Sequence, residues 1–185
     1  MDIKLSDITQ RRAEMLGEVG QAWVKALPDK VRQALADYGL TFVDSLPGGS
    51  ASYLAIVTDV SGAERILKVV MPTDLDVTAE IAGLQAAKGR GYVGVFATDA
   101  AKGIAVMERL GSPIADSGLA IQTQIERVTA ALQESWQADT ATQGLVCGEG
   151  KADWLENHIR HTPAKIGARF NTQMMHLAVD HIDAR

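Results

Sequence analysis

The hydrophobic period of the chain changes near residue 40, and this change constrains the fold more than any other feature of the sequence. Before it, apolar residues recur at the three- and four-residue intervals typical of helices. After it, β-branched and aromatic residues form short runs that are separated by glycine, proline, aspartate and serine. The switch predicts helices followed by a meander of antiparallel strands.

Residues 6–38 are predicted to form two helices divided at Pro28-Asp29, with Asp29 as the N-cap of the second. Gly39 is predicted to end the second helix in the left-handed conformation. The apolar stripes of this segment comprise Met15, Val19, Trp23, Val24, Leu27, Val31, Leu35 and Tyr38.

The β-rich part of the chain is interrupted once by a return to helical spacing. The predicted strands include residues 41–43, 53–57, 66–70, 93–97 and 104–107, with a helix over 76–88 after the third strand. The predicted order is therefore β-β-β-α-β-β.

Beyond Gly111-Ser112-Pro113 the sequence predicts helices and no strand. The predicted helices cover 119–137, 152–162 and 165–183, with a glycine-rich break at 144–150 and a second break at Pro163. We expect an α+β protein with N-terminal helices over 1–39, a mixed lobe over 40–111 and a helical segment over 112–185.

Composition excludes several classes of function. The 185 residues are 46% hydrophobic with a formal net charge of −5, and the charges are scattered, so no basic stripe predicts nucleic-acid binding. No window approaches the roughly 18 apolar residues of a spanning helix. Cys147, the single cysteine, is expected to be a small buried hydrophobe in a cytoplasmic protein.

Two elements of the meander have the chemistry of phosphate binding. Gly48, Gly49 and Ser50 lie between two predicted strands, where backbone N–H groups can approach phosphate oxygens. Lys68 lies in the apolar strand 66–70, and an ammonium buried there needs an anionic partner, such as a triphosphate or the Glu80 carboxylate. Taken singly, the glycines also fit an ordinary tight turn, and the lysine fits a strand residue that reaches solvent along its methylenes.

Two further elements follow in the chain. Glu80 lies on the predicted helix after Lys68 and has no cation one turn away that would explain its place. Residues 106–111 close the last strand, where exposed backbone groups could bind an adenine edge. The alternative for Glu80 is an ordinary solvated helix glutamate, and the alternative for residues 106–111 is a charged strand end at the surface.

These elements, in this order, resemble the N-terminal lobe of the aminoglycoside (streptomycin 6-type)/hydroxyurea phosphotransferase family. The resemblance runs from about residue 37 to about residue 115. Its motifs are Leu46-Pro47-Gly48-Gly49-Ser50-Ala51-Ser52-Tyr53, Ile66-Leu67-Lys68-Val69, the Glu80 helix, Gly89-Arg90-Gly91-Tyr92-Val93 and Val106-Met107-Glu108-Arg109-Leu110.

The resemblance implies a protein-kinase-like fold that transfers the γ-phosphoryl of ATP, with Mg²⁺, to a hydroxyl of a small molecule such as streptomycin, an activity of antibiotic resistance. Lys68 would hold the α- and β-phosphates, Glu80 would orient Lys68, and the turn from Gly48 to Ser50 would cover the phosphates. Adenine would meet the backbone of Glu108, Arg109 and Leu110.

The family also has a catalytic His-Gly-Asp-type loop with a downstream Asn and a metal-binding Asp, which this sequence does not show. The nearest candidates, His176 to Asp180 and His181 to Asp183, lie on a predicted amphipathic helix. We therefore identify no catalytic or metal-binding residue. His158 and His161 have helical spacing but no third ligand nearby, which favours surface histidines.

Three hypotheses follow. In the first, the chain is a piece of a phosphotransferase whose C-terminal catalytic half is missing. In the second, it is a non-catalytic nucleotide-binding module that self-associates through the apolar last helix. In the third, it is an unrelated α+β domain with an incidental lysine and glutamate. Met174, Met175, Leu177, Ala178, Val179 and Ile182 provide the apolar surface of that helix.

Overall fold

A computed structural model describes residues 1–72, 77–138, 148–166 and 171–183. The chain divides into two compact units, residues 1–144 and 145–185. The predicted domain boundaries at residues 39 and 111 stay predictions.

The first unit is built on a five-stranded antiparallel sheet. Its strands are β1 (Thr41–Leu46), β2 (Ser52–Thr58), β3 (Glu64–Val70), β4 (Val95–Asp99) and β5 (Ile104–Glu108). They lie in the order β1-β2-β3-β5-β4, with helix α3 (Val77–Ala87) between β3 and β4 in sequence. The predicted α+β class and the predicted order of elements are confirmed.

Two helices precede the sheet, as predicted, but the predicted break between them is wrong. Helix α1 (Asp7–Met15) ends before Gly17, which has a φ of 59°, and α2 (Glu18–Asp37) runs without interruption through Pro28. Pro28 lies on the exposed side of α2, where water can solvate the carbonyl that its missing N–H leaves unpaired. Asp29 is accordingly no N-cap and instead pairs with Arg32.

Helix α2 ends at the predicted glycine. Gly39 has a φ of 62°, its N–H donates to the carbonyl of Ala36, and the N–H of Leu40 donates to the carbonyl of Leu35 at 2.8 Å. These two bonds form a Schellman motif, which satisfies carbonyls at the helix end and turns the chain into β1.

The core lies between α2 and one face of the sheet. Alternate residues of β2, β3 and β5 point toward α2 and are almost fully excluded from solvent, while Phe42 of β1 and Ala97 of β4 pack at the edge of this core. The core includes Trp23, Leu27, Val31 and Ala34 from α2, with Tyr53, Ala55, Val57, Leu67, Val69, Met71, Ile104 and Val106 from the sheet and its continuation. Burial of this apolar face is the main source of stability of the first unit.

The remaining helices are α4 (Ile121–Ser135), α5 (Gly148–Ile166) and α6 (Thr172–Asp183). The predicted break at Pro163 is wrong, because α5 continues through it. The predicted glycine-rich break is also wrong at Gly148 and Gly150, which form the first turn of α5, where N–H groups have no intrahelical acceptor in any case.

Candidate functional site

Lys68 lies on the sheet face that is turned away from α2. Because directly paired residues of antiparallel strands share a face, Leu54 of β2 and Ala105 of β5 lie on either side of it. Lys68 is half-buried, whereas its sequence neighbours Leu67 and Val69 are fully buried against α2. The predicted orientation of Lys68 is confirmed. We call this surface the Lys68 face.

Glu80 of α3 forms an ion pair with Lys68. The Lys68 side chain is 17% exposed and that of Glu80 is 47% exposed, so the ammonium is partly desolvated while the carboxylate remains in contact with water. A second bond, from Gln85 Nε2 to Thr98 Oγ1 at 3.2 Å, ties α3 to β4. The structure therefore brings together two residues that the sequence singled out separately, and Gln85 is a tether that sequence reasoning missed.

The glycine-rich turn between β1 and β2 requires its glycines. Gly48 has a φ of 142° and Gly49 a φ of 74°, a region that residues with a side chain rarely adopt. A Cβ added to Gly48 would lie 3.8 Å from Leu54 Cδ1, and Leu54 is the residue paired with Lys68. The turn therefore bends toward the Lys68 face.

The position of this turn relative to Lys68 follows from strand register. Ser52, the first residue of β2, pairs with Val70, two residues beyond Lys68. Since a strand rises about 3.3 Å per residue, the turn begins roughly 7 Å along the sheet from Lys68. That separation matches the span of a few phosphate groups.

The N-terminal segment contacts this hairpin in a way that the sequence did not reveal. Thr9, which is 1% exposed, donates its hydroxyl to the carbonyl of Gly49 at 3.1 Å. Ser45 of β1 bonds to the Lys4 amide at 2.9 Å and to the Tyr53 hydroxyl at 2.8 Å. Burial raises the pKa of Tyr53, so its hydroxyl stays protonated.

The end of β5 is partly committed to structural contacts. Glu108 donates its N–H to the carbonyl of Gly94 at 2.8 Å and accepts the Gly94 N–H on Oε2 at 3.1 Å. Arg109 pairs with Glu64 at the start of β3. Leu110 follows the strand with its side chain 63% exposed. Of the three residues predicted to contact adenine, Leu110 has the most accessible position.

The histidines of the second unit form no evident site. His158 stacks on Trp154 with ring centroids 5.2 Å apart, and His161 Nδ1 lies 2.7 Å from the carbonyl of Asn157. His176 and Asp180 lie on α6, as expected for a helix. Across the described residues, no group of three or more His, Cys, Asp or Glu side chains is placed to hold a metal ion. Cys147 lies outside the described residues.

A cavity of about 580 Å³ lies away from all the predicted site residues. It runs between α2 and the turn from β4 to β5, with Trp23, Ala26, Met71 and Ala101 among its lining residues and Lys102 at its edge. Lys102 is held there by ion pairs to Asp37 at 3.2 Å and Asp99 at 3.3 Å. Its charge is therefore already balanced.

A twisted antiparallel sheet of five strands, a glycine-rich first hairpin and a lysine on the third strand paired with a glutamate on the next helix define a protein-kinase-like N-terminal lobe followed by helices. None of the described helices combines the length and the hydropathy that crossing a membrane requires.

The resemblance noted from the sequence is confirmed by known relatives. The chain is 34% identical over 98 residues to streptomycin 6-kinase of Streptomyces glaucescens, covering 53% of this chain and 32% of that protein. It is 32% identical over 153 residues to streptomycin 6-kinase of Streptomyces griseus, covering 83% and 42% respectively.

A third relative is hydroxyurea phosphotransferase of Kitasatospora aureofaciens, which is 30% identical over 111 residues, covering 60% of this chain and 31% of the relative. No protein-family model matches the chain. The chain thus spans about a third to two fifths of the length of these curated relatives.

Proposed function

We propose that this chain forms the ATP-binding part of a kinase that phosphorylates a hydroxyl group of a small molecule, of the streptomycin type. The observation that carries the proposal is the Lys68–Glu80 ion pair on the open face of a kinase-like sheet, next to a glycine-rich turn. The names of the relatives support the same reaction class.

In this proposal the α- and β-phosphates bind the Lys68 ammonium. Glu80 keeps the ammonium on the Lys68 face through the ion pair. The Glu80 carboxylate is about half exposed and stays hydrated, so the pair forms without the cost of burying the carboxylate. The backbone N–H groups of Gly48, Gly49 and Ser50 would cover the phosphates, since no side chain on either glycine blocks the approach.

The adenine would lie nearest the end of β5. The carboxylate and N–H of Glu108 are engaged with Gly94, and Arg109 is paired with Glu64, so their side chains are unsuited to contacting the base. We therefore assign the adenine contact to the backbone that follows the strand, around Leu110. Glu108 and Arg109 then act by fixing the direction in which the chain leaves β5.

The described residues suit ATP better than they suit a resident metal ion. Lys68 and the glycine-rich turn offer a cation and N–H donors, while no cluster of metal-ligating side chains occurs among the residues described. Mg²⁺ usually keeps several waters and binds substrate phosphates. It would enter this site with ATP and supply charge neutralisation there.

The acceptor belongs to the proposal as well, because the chain covers less than half of each relative. Streptomycin and hydroxyurea are the two acceptors that the relatives' names offer. The single cysteine and the scattered charge support a cytoplasmic location without nucleic-acid partners.

Calorimetric titration of the chain with Mg-ATP tests the proposal. We expect saturable binding that Lys68→Ala weakens at least tenfold, since a charge-assisted contact to phosphate is lost. Lys102→Ala is the matched control, because Lys102 is also held by carboxylates but lies at the 580 Å³ cavity, and its titration is expected to equal that of the wild type. Equal affinities for all three proteins, or no binding at all, would refute the proposal.

Phosphorylation assays then address the acceptor. Labelled ATP is offered with streptomycin, with hydroxyurea or with neither, and product formation is compared with that of Lys68→Ala. Because the sequence shows no catalytic loop, we expect ATP binding with little turnover on either acceptor. Robust turnover that requires streptomycin and Lys68 would identify the acceptor, and it would contradict the proposal that the chain forms only the ATP-binding part of the kinase.

Self-association on a kinase-like scaffold is the second candidate function. Its support is the exposure of apolar side chains on two helices. In α4 and the residue that follows it these are Ile121, Ile125, Val128, Leu132 and Trp136, and in α6 they include Met174 and Leu177. Sedimentation of the wild type and of Met174→Ser/Leu177→Ser at micromolar concentration would distinguish a monomer from an oligomer built on α6.

A further inference from the structure

Helix α1 is anchored to the glycine-rich turn by one hydroxyl. Thr9 Oγ1 lies 3.1 Å from the Gly49 carbonyl oxygen and 3.5 Å from the Ser52 carbonyl oxygen, and its single proton favours the shorter contact, to Gly49. When Thr9 donates to Gly49, the Ser6 hydroxyl, 2.8 Å from Thr9 Oγ1, is the donor in that pair. Ser6 also caps α1 by accepting the Thr9 N–H at 3.2 Å. The bond to Gly49 thus continues a chain of oriented hydrogen bonds.

The position of Thr9 is fixed by the packing of α1 on α2 and of α2 on the sheet. Helix α1 packs on α2 at Gly20, where an added Cβ would lie 2.0 Å from the carbonyl oxygen of Ala13. Ala13 is 2% exposed, and α2 is packed against the sheet through Trp23 and Leu27. Helix α1 therefore cannot move far along α2, and the distance from Thr9 to the turn is set by rigid elements.

We infer that Thr9 is a positioning residue for nucleotide binding, because it fixes the orientation of the peptide group between Gly49 and Ser50. This inference rests on the proposed function. The C=O and N–H of a trans peptide point in opposite directions, and no cis peptide bond occurs among the residues that the structure describes. With the Gly49 carbonyl held on α1, the Ser50 N–H points away from α1 and is available to a phosphate oxygen of the nucleotide.

The hydroxyl matters because glycine leaves this peptide free to rotate. Gly49 has no Cβ to restrict its backbone, and a flipped peptide would direct a carbonyl oxygen, instead of an N–H, toward the phosphates. An anion-binding turn works only while its N–H groups converge. Thr9 therefore orients the Ser50 N–H before ATP binds, which lowers the conformational-entropy cost of binding.

Three variants test the inference in the full chain. Thr9→Val keeps the shape of the side chain and removes the hydroxyl, Thr9→Ser restores the hydroxyl, and Thr41→Val makes the same exchange at an exposed site in β1. Ser6→Ala is a milder fourth variant, because it removes the donor to Thr9 while leaving Thr9 in place, and it is used in the same way if Thr9→Val fails to fold.

The first measurement compares calorimetric affinities for Mg-ATP and for adenosine. We expect Thr9→Val to weaken Mg-ATP about tenfold, the scale of one lost hydrogen bond to the turn, and to leave adenosine unchanged. Thr9→Ser is expected to stay within about twofold of the wild type, as is Thr41→Val. Equal losses for Mg-ATP and adenosine would mean that Thr9 acts through general stability, and would overturn the inference.

The second measurement needs no nucleotide. Amide ¹⁵N relaxation of the free protein should show the Ser50 N–H ordered in the wild type and mobile in Thr9→Val, with an order parameter falling below about 0.6. A Ser50 amide that stays as ordered in Thr9→Val as in the wild type would overturn the inference. If the wild type binds no nucleotide, the proposed function fails, and the relaxation data still decide whether Thr9 orders the turn.

Discussion

The two faces of the sheet differ in what covers them. On the face toward α2, Tyr53, Leu67 and Val69 are almost completely excluded from solvent. On the Lys68 face, Ile66 and Ala105 are buried but Leu54 and Ile56 remain half-buried. Helix α3 is joined to this side of the sheet by polar bonds as well as by its buried Ile81. The first face provides an apolar core for stability, while the second keeps an accessible, charged surface.

The difference teaches that stability and ligand binding are separated within one sheet. Alternate residues of β3 serve the two tasks, with Leu67 and Val69 in the core and Lys68 between them on the open side. A substitution on one face should therefore change the free energy of unfolding, and a substitution on the other should change affinity. Thr9 is the exception, because it connects the core side to the glycine-rich turn.

The largest expected effect comes from Leu67→Ala. Leu67 is fully buried, so its truncation should lower the free energy of unfolding by about 3 kcal/mol through lost burial and the cavity left behind. Leu54→Ala is the matched control on the half-buried face and should cost clearly less. Urea unfolding measures both, and equal losses would show that the two faces are not energetically distinct.

Trp23→Phe should have the next largest effect. Trp23 Nε1 donates to the carbonyl of Val70 at 3.0 Å, which joins α2 to the end of β3. Phenylalanine keeps most of the apolar contact and leaves that carbonyl without its donor, at a cost of about 1–2 kcal/mol. Urea unfolding checks the value, and a phenylalanine variant as stable as the wild type would show that water satisfies the carbonyl.

Glu80→Gln should affect binding more than stability. A pair in which the carboxylate is 47% exposed is expected to contribute at most about 1 kcal/mol to folding. Loss of the charge frees the Lys68 ammonium to leave the face, so Mg-ATP affinity should fall several-fold if the proposed function holds. Asp37→Asn, at the ion pair with Lys102 beside the separate 580 Å³ cavity, is the control that should leave affinity unchanged. Parallel unfolding and calorimetry would separate the two outcomes.

The sequence predicted the sheet because its signals are local. The runs at 53–57 and 66–70 have the strand period, and the register follows once they form a hairpin. The pairing of Lys68 with Glu80 was proposed from order and chemistry, and the structure brings the two side chains together. Their role in nucleotide binding stays a prediction.

What could not be predicted depended on tertiary context. The break between the first two helices was placed at Pro28 because proline is the stronger local signal, but Pro28 faces solvent and Gly17 turns the chain. The Thr9–Gly49 bond joins residues 40 positions apart through one hydroxyl, and no period or motif marks it. The helical spacing of 119–137 was predicted, but it does not reveal that Ile121 and Trp136 are more than 70% exposed.

The smallest expected effect concerns acid stability and lies in the turn from β2 to β3, which belongs to neither face. The hydroxyl of Ser61 is the main cause that holds the pKa of Asp59 below its usual value, assisted by the Ala63 and Ser61 amides and by Arg65. A carboxyl with a lowered folded pKa stabilises the protein above its unfolded value, about 3.9, and loses that contribution as pH falls toward the folded value.

Asp59→Asn should therefore flatten the acid limb of the stability profile. Urea unfolding between pH 3 and 7 is expected to show the wild type losing stability below about pH 4 more steeply than the variant, because asparagine binds no proton in either state. Asp116→Asn removes the same charge from an exposed site and controls for net charge. If both variants keep the wild-type slope, the contacts around Asp59 do not link proton binding to folding. The acid response must then come from other carboxylates, such as Asp37 and Asp99, which lie beside Lys102 and also have lowered pKa values.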